Sequence, residues 1–188
     1  MALVTLTDTN RVLEDAGEVS EFLGRHGIWY RRFCGLDRLS DAATTDEILA
    51  AFEGPIAEQR ASGGYTTADV IDIKPETPGL TEMLGKFSKE HWHSEDEVRF
   101  IVEGRGVFHI HPADGPVFRI EVRAGDMINV PSGTRHWFDL CEDSRIRAIR
   151  LFQNKEGWVP HYSGSGEEAR HEPLCFGPSF IPPRPDGV

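Results

Sequence analysis

Two of the chain's eight histidines are separated by a single residue, in His91-Trp92-His93. On a strand, residues i and i+2 point to the same face, so both imidazoles can meet one ion. Glu97 and Arg99 keep the same parity, although Ser94-Glu95-Asp96 before them can form a bulge or turn that breaks strict alternation. A fourth donor is His136, in Val130-Pro131-Ser132-Gly133-Thr134-Arg135-His136. Its Pro-x-Gly segment predicts a turn that delivers the imidazole onto a strand facing the first pair. Three neutral imidazoles and one carboxylate suit a first-row transition metal such as iron, nickel, manganese or zinc. Taken alone, an HxH on a strand is more often not a ligand pair; the spacing of the whole set is what raises this one. A second pair, His109-Ile110-His111, has no carboxylate four residues on, and Phe108 and Ile110 claim the apolar face of that strand, so no site is expected there. His26, His161 and His171 stand alone in polar or turn-rich segments and are expected at the surface.

These residues need a framework to bring them together. Val12, Leu13, Ala16, Val19, Phe22 and Leu23 recur at helical spacing and predict a helix over 10–24, stopped by Gly24 and Gly27. A second helix is expected over 45–61. Thr44 and Glu47 have the spacing of a capping box, and Ile48, Leu49, Phe52 and Ile56 follow on one face until Gly63-Gly64. From Thr66 the pattern changes to short apolar runs cut by glycine or proline, as an all-β barrel or sandwich requires. Five glycines between 104 and 133 do most of the cutting. The four prolines at 178, 182, 183 and 185 keep the tail out of helix and sheet.

Composition bounds the class of function. The 188 residues carry 20 Lys plus Arg against 31 Asp plus Glu, a net charge of −11, and no window gathers a basic footprint for nucleic acid or an anionic membrane. The longest apolar run, Ile48 to Phe52, is far short of the roughly 20 residues of a membrane span. Cys34, Cys141 and Cys175 are odd in number, widely spaced and without a CxxC pair, which reads as a reducing compartment with no need of disulfide staples. The expectation is one domain over 1–188, with a barrel core about 66–160, a helical elaboration over 1–65 and a Pro-rich tail over 176–188. It is expected to act as a cytoplasmic monomer.

The spacing as a whole resembles the cupin superfamily. Gly85, five residues, His91-x-His93, three residues, Glu97, six residues and Gly104 match its first signature; Gly125, five residues, Pro131-x-Gly133, two residues and His136 match most of its second. That second signature normally ends in Asn where this chain has Leu140, a departure that removes a supporting polar group but no ligand. The resemblance implies a mainly β fold with a few helices, a jelly-roll-type barrel carrying an N-terminal α/β elaboration.

Further fragments narrow it. Glu90-His91-x-His93-x-Glu95-Asp96-Glu97-Val98-Arg99-Phe100, Asp126-x-Ile128-x-Val130-Pro131, His136-Trp137-Phe138-Asp139, Ile149-Arg150-x-Phe152 and Gly157-Trp158 together look like the bacterial branch of the acireductone dioxygenase family. The resemblance implies one Fe(II) or Ni(II) per chain on His91, His93, Glu97 and His136. It also implies cleavage of acireductone by O2 to formate and the 2-keto acid precursor of methionine, with a carbon monoxide-releasing reaction in the nickel form. Four protein ligands would leave two octahedral positions for a chelating substrate. A divalent metal with Glu97 carries +1, so a dianionic substrate leaves −1, which Arg99 is placed to neutralise as the catalytic cation. Otherwise Arg99 is a surface arginine paired with Glu95 or Asp96. Phe87, Phe138 and Trp158 can wall a pocket for the methylthio tail or be plain core. Arg150 is a second basic residue near the substrate or a salt-bridge partner in the barrel wall. Glu90 is placed to hydrogen-bond a ligand imidazole or to stand in solvent. Two other readings compete: a metal-dependent sugar isomerase or epimerase, which would need polar contacts rather than an aromatic pocket, and a non-catalytic ligand-binding cupin, which would have lost the ligands.

Overall fold

The computed structural model describes residues 1–34, 39–154 and 159–175. Trp158 and the Pro-rich tail, to which the sequence reading assigned a pocket wall and an irregular course, lie outside the described residues.

Among the described residues, eleven antiparallel strands form two sheets that share one long strand. In chain order they are β1 (Leu3–Leu6), β2 (Arg11–Leu13), β3 (Tyr30–Arg32), β4 (Thr67–Ile73), β5 (His91–Trp92), β6 (Glu97–His111), β7 (Phe118–Arg123), β8 (Asp126–Val130), β9 (Arg135–Leu140), β10 (Ile146–Phe152) and β11 (His161–Tyr162). One sheet runs β11-β5-β9-β6-β7-β1-β2 and the other β4-β10-β6-β8-β3. Strand β6 serves both: Glu97–Phe100 pairs with β8 and Val98–Gly104 with β10, whereas Arg105–His111 pairs with β7 and β9. It crosses between them at Gly104, where φ is +75° and an added Cβ would lie 2.0 Å from the Arg145 carbonyl oxygen. Only glycine fits there. This is the jelly-roll-type, mainly β fold that the resemblance implied.

The first 65 residues are the α/β elaboration that the resemblance implied rather than helices alone, because β1 and β2 extend one sheet and β3 the other. The first helix, α1 (Ala16–Arg25), begins later than residue 10, since Arg11–Leu13 is claimed by the sheet and Asp15 caps the helix through Gly17 and Glu18 N–H groups. The second expected helix is two, α2 (Thr45–Ala51) and α3 (Glu53–Gly63). The capping box is present, with Glu47 N–H donating to Thr44 Oγ1 and Thr44 N–H to Glu47 Oε2. The break at Phe52 follows from Pro55, which has no N–H and whose ring would strike the Ala51 carbonyl in a continuous helix. A fourth helix, α4 (Leu80–Phe87), interrupts the stretch read as uninterrupted β. Eight residues with Gly85 inside give too short a periodic signal to be read.

Alternation on β6 sorts the interior. Val98 and Phe100 face outward and are buried with Ile48, Phe52 and Ile56 of α2 and α3, while Glu97, Arg99 and Ile101 face into the barrel. No helix of the described residues is long and apolar enough to cross a membrane. The expectation of unpaired cysteines needs correction: Cys141, just past β9, is disulfide-bonded to Cys175, and Cys34 is free and exposed. The separation of 34 positions concealed that the C-terminal segment returns alongside β9.

Candidate metal centre

The His91 and His136 partnership is set by strand register: they are direct opposites across β5 and β9, with ring centroids 4.5 Å apart. His93 follows β5 and alternates back to the same side as His91, 5.0 Å from it, whereas Trp92 turns away and stacks on His161. The turn expected before His136 is present. Thr134 N–H donates to the Pro131 carbonyl, and Gly133 at φ +76° supplies the left-handed position of a type II turn. Gly133 N–H in turn donates to the His93 carbonyl at 2.9 Å, which ties the loop bearing one ligand to the strand bearing another. Ser132 N–H on Asp96 Oδ1 adds a second tie. Glu97 opens β6 opposite Val130, so all four side chains converge.

Ligand atoms of His91, His93, Glu97 and His136 all lie within 4.8 Å of one another, and all four residues are buried. The tautomers also fit a metal. Each Nδ1 faces a backbone carbonyl, Lys89 for His91 at 2.7 Å, Val159 for His93 at 3.3 Å and Thr134 for His136 at 2.8 Å. A carbonyl only accepts, so each Nδ1 donates there and each Nε2 is turned toward the shared centre, where His136 Nε2 lies 2.8 Å from Glu97 Oε2. Carbonyl-oriented imidazoles of this kind are the usual support of a metal ligand. Burial, then the nearby His136, pushes the His91 imidazole down to about 4, so it is neutral at pH 7. Burial alone would raise the Glu97 carboxyl, but Arg99 and the His136 and His93 rings outweigh it and hold Glu97 well below the usual range.

Arg99 lies in the same cavity, with its guanidinium on Glu97 rather than on the Glu95 or Asp96 weighed from sequence. Burial lowers it to about 10, which leaves a full charge at neutral pH. The rest of the cavity is apolar: Phe87 and Leu84 of α4, Phe108, Phe138, and Ile71, Ile73, Ile146 and Ala148 from β4 and β10. The sequence reading missed the aliphatic part of that wall, since Ile71, Ile73, Ile146 and Ala148 look like any strand core until the register of β4 against β10 turns them toward the metal ligands. Arg150 stands opposite Arg99 in the β6–β10 register, yet its guanidinium is held by Asp69 (Nε–Oδ1 2.7 Å) and lies over the Phe152 ring. It does not line the cavity. Glu90 is fully buried rather than solvated, and its partners are His111, Ser163 and Ser165, not a ligand imidazole.

His109, read as no site, is fully buried on the far face of its strand, stacked on Trp137 at 4.7 Å, with Asp139 Oδ2 3.5 Å from Nδ1 and His171 and Arg119 alongside. Burial, then Arg119, pushes its imidazole down to about 3. An unfolded imidazole takes up its proton near 6.5, so this residue costs stability as pH falls below 6.5. Asp139, pushed up to about 6 by burial, works in the opposite sense over pH 6 to 4. Urea unfolding of wild type and His109→Phe, which both keep Asp139, isolates the histidine. Between pH 7 and pH 4.5 the wild type is expected to lose about 2–3 kcal/mol more than the variant. Parallel profiles would show that His109 is not held neutral.

Comparison with known proteins agrees with this geometry. The model of the ARD/ARD' family matches residues 36–160. A Synechococcus acireductone dioxygenase is 45% identical over 150 residues, covering 80% of each chain. A Bacillus cereus acireductone dioxygenase is 42% identical over 171 residues, covering 86% of this chain and all of that one. The solved structure of acireductone dioxygenase from Bacillus anthracis with cadmium ion in the active center superposes with a TM-score of 0.79 at 42% identity, covering 86% of this chain and 98% of that one. The residues matched by the family model contain all four converging side chains, and the chain belongs to the acireductone dioxygenase (ARD/ARD') family.

Proposed function

We propose that the protein cleaves acireductone, 1,2-dihydroxy-3-keto-5-methylthiopentene, with O2 to formate and the 2-keto acid precursor of methionine, as a step of methionine salvage. The observation that carries this reading is the meeting, in one cavity, of a three-imidazole, one-carboxylate ligand set, a buried guanidinium and an otherwise apolar wall. His91, His93, Glu97 and His136 would hold one Fe(II) or Ni(II), which when bound supplies Lewis-acid polarisation and orientation of the enediolate oxygens.

The remaining work belongs to the chain. Arg99 offers a fixed positive charge and a planar fork to an enolate oxygen, and it need not move to do so because Glu97 holds it in place. Phe87, Phe138 and the aliphatic wall exclude water and receive the methylthio tail, sulfur being a favourable neighbour for aromatic rings. A sugar isomerase would need hydroxyl partners along that wall, where this cavity presents isoleucine and phenylalanine.

The test is to strip the protein, reload it separately with Fe(II) and Ni(II), and follow O2, formate, carbon monoxide and acids from one substrate batch. The iron form is expected to give formate and the keto acid. The nickel form is expected to give carbon monoxide as well, with an acid shorter by one further carbon. No oxygen uptake with either metal overturns the assignment, whereas identical products from both overturn only the metal dependence.

A further inference from the structure

We infer that Glu90 is a positioning residue for the metal centre: its buried carboxylate fastens the C-terminal segment 159–165 onto the strand that carries His91. The inference rests on the reading of His91, His93, Glu97 and His136 as metal ligands. Glu90 immediately precedes His91, and its side chain is 0% exposed. One carboxylate oxygen accepts from His111 Nδ1 at 2.5 Å, the other from Ser165 Oγ at 2.6 Å and from Ser163 Oγ. The Glu90 carbonyl accepts a further bond from Ser163 N–H at 3.1 Å. The His111 tautomer is fixed by its own surroundings, because Arg135 Nη2 donates to Nε2 at 3.3 Å and leaves the proton on Nδ1.

What this clasp holds touches two ligands. Strand β5 is two residues long, with β9 on one side and β11 on the other; Tyr162 of β11 pairs with His91 itself. Upstream in the same segment, the Val159 carbonyl receives His93 Nδ1. Yet β11 has little of its own to keep it in place. Both its residues are exposed, and among the described residues its other attachments are the His161 stack on Trp92, the Tyr162 ring edge-on to His91 at 6.0 Å and the Tyr162 hydroxyl on the Lys86 carbonyl. A buried carboxylate with three side-chain donors is the strongest attachment the segment makes near the metal strand, since charge-assisted bonds out of water exceed neutral ones at the surface. His111, half of the pair dismissed from sequence, acquires a role here as the donor that holds Glu90 from the barrel side.

The experiment uses full-length Co(II)-loaded protein without substrate, and reads the visible ligand-field spectrum and the rate of metal loss to excess chelator. Glu90→Ala is expected to lose cobalt about 10- to 100-fold faster, the usual cost of removing support behind a metal ligand, with a shifted spectrum. Glu90→Gln, which keeps the shape and one acceptor oxygen, is expected to restore most of the rate. The double variant Ser163→Ala/Ser165→Ala opens the clasp from the segment's side, leaves Glu90 and His111 in place and moves release in the same direction; it decides the matter should Glu90→Ala not fold. Release rates within twofold of wild type and unchanged spectra in the folded variants overturn the positioning role alone. A wild type that holds no cobalt overturns the metal reading beneath it.

Discussion

Glu97→Ala protein, purified from metal-supplemented growth, is expected to contain less than about a tenth of the metal of wild type and to consume oxygen more than 10³-fold more slowly, a loss on the order of 4 kcal/mol. Glu97 is the sole anionic member of the ligand set, and the other three offer neutral nitrogen. Without it a divalent ion would enter a buried site whose nearest formal charge is the Arg99 guanidinium, so attraction becomes repulsion at short range in a poorly screened interior. The same substitution removes Arg99's carboxylate partner, and breaking a buried pair by deleting one member costs about 3–5 kcal/mol of folding stability. The double variant Glu97→Ala/Arg99→Met separates the two effects. It is expected to regain much of the stability and none of the metal, a non-additive result for groups in contact. Metal per chain by mass spectrometry and urea unfolding are the measurements. Near-stoichiometric metal in either variant would remove Glu97 from the ligand set.

Arg99→Met is expected to show the opposite dissociation of properties: metal retained, turnover lost. Methionine fills similar volume, and in the loaded protein the metal itself offsets the Glu97 charge that arginine otherwise balances. What disappears is a cation already in place before the substrate's negative charge develops. Removing one such preorganised partner costs about 10² to 10³ in kcat. Arg99→Lys is expected to recover little, because an ammonium cannot present the planar fork that spans Glu97 and a substrate oxygen together. The comparison is made on metal-counted protein as kcat and KM separately; a fall in kcat/KM carried wholly by KM would mean that Arg99 serves uniform binding and not the transition state. Wild-type turnover in metal-replete Arg99→Met would refute its role.

The parts of the site that were legible before the fold have a common character: they are short-range. His91 and His93 share a face because alternation is a property of any strand, and Gly133 announces a turn because only glycine takes φ +76° without strain. Thr44 and Glu47 cap a helix by chemistry complete within four residues. One misreading falls where a distant segment intervened. Arg11–Leu13 has helical spacing but is recruited by β1. The break between α2 and α3 was local and readable, since Pro55 stands four residues after Ala51.

The sequence by itself determined the ligand types, their parity, the turn before His136 and the family, because these depend on residue identity at fixed short separations. Only the tertiary structure decided which residues complete the site. That His91 opposes His136 across 45 positions is a matter of strand register, which is set by the summed burial of every paired side chain and by no single motif. Register likewise gave Arg150 to Asp69, turned Ile71, Ile73, Ile146 and Ala148 into a pocket wall, and brought Glu90 to serines more than 70 residues away. The Cys141–Cys175 disulfide is of the same kind, since two thiols 34 residues apart become neighbours only when the C-terminal segment lies back along β9. Spacing can name the atoms able to do chemistry; closing a barrel decides which of them meet, because that meeting is fixed by long-range packing that no local pattern encodes.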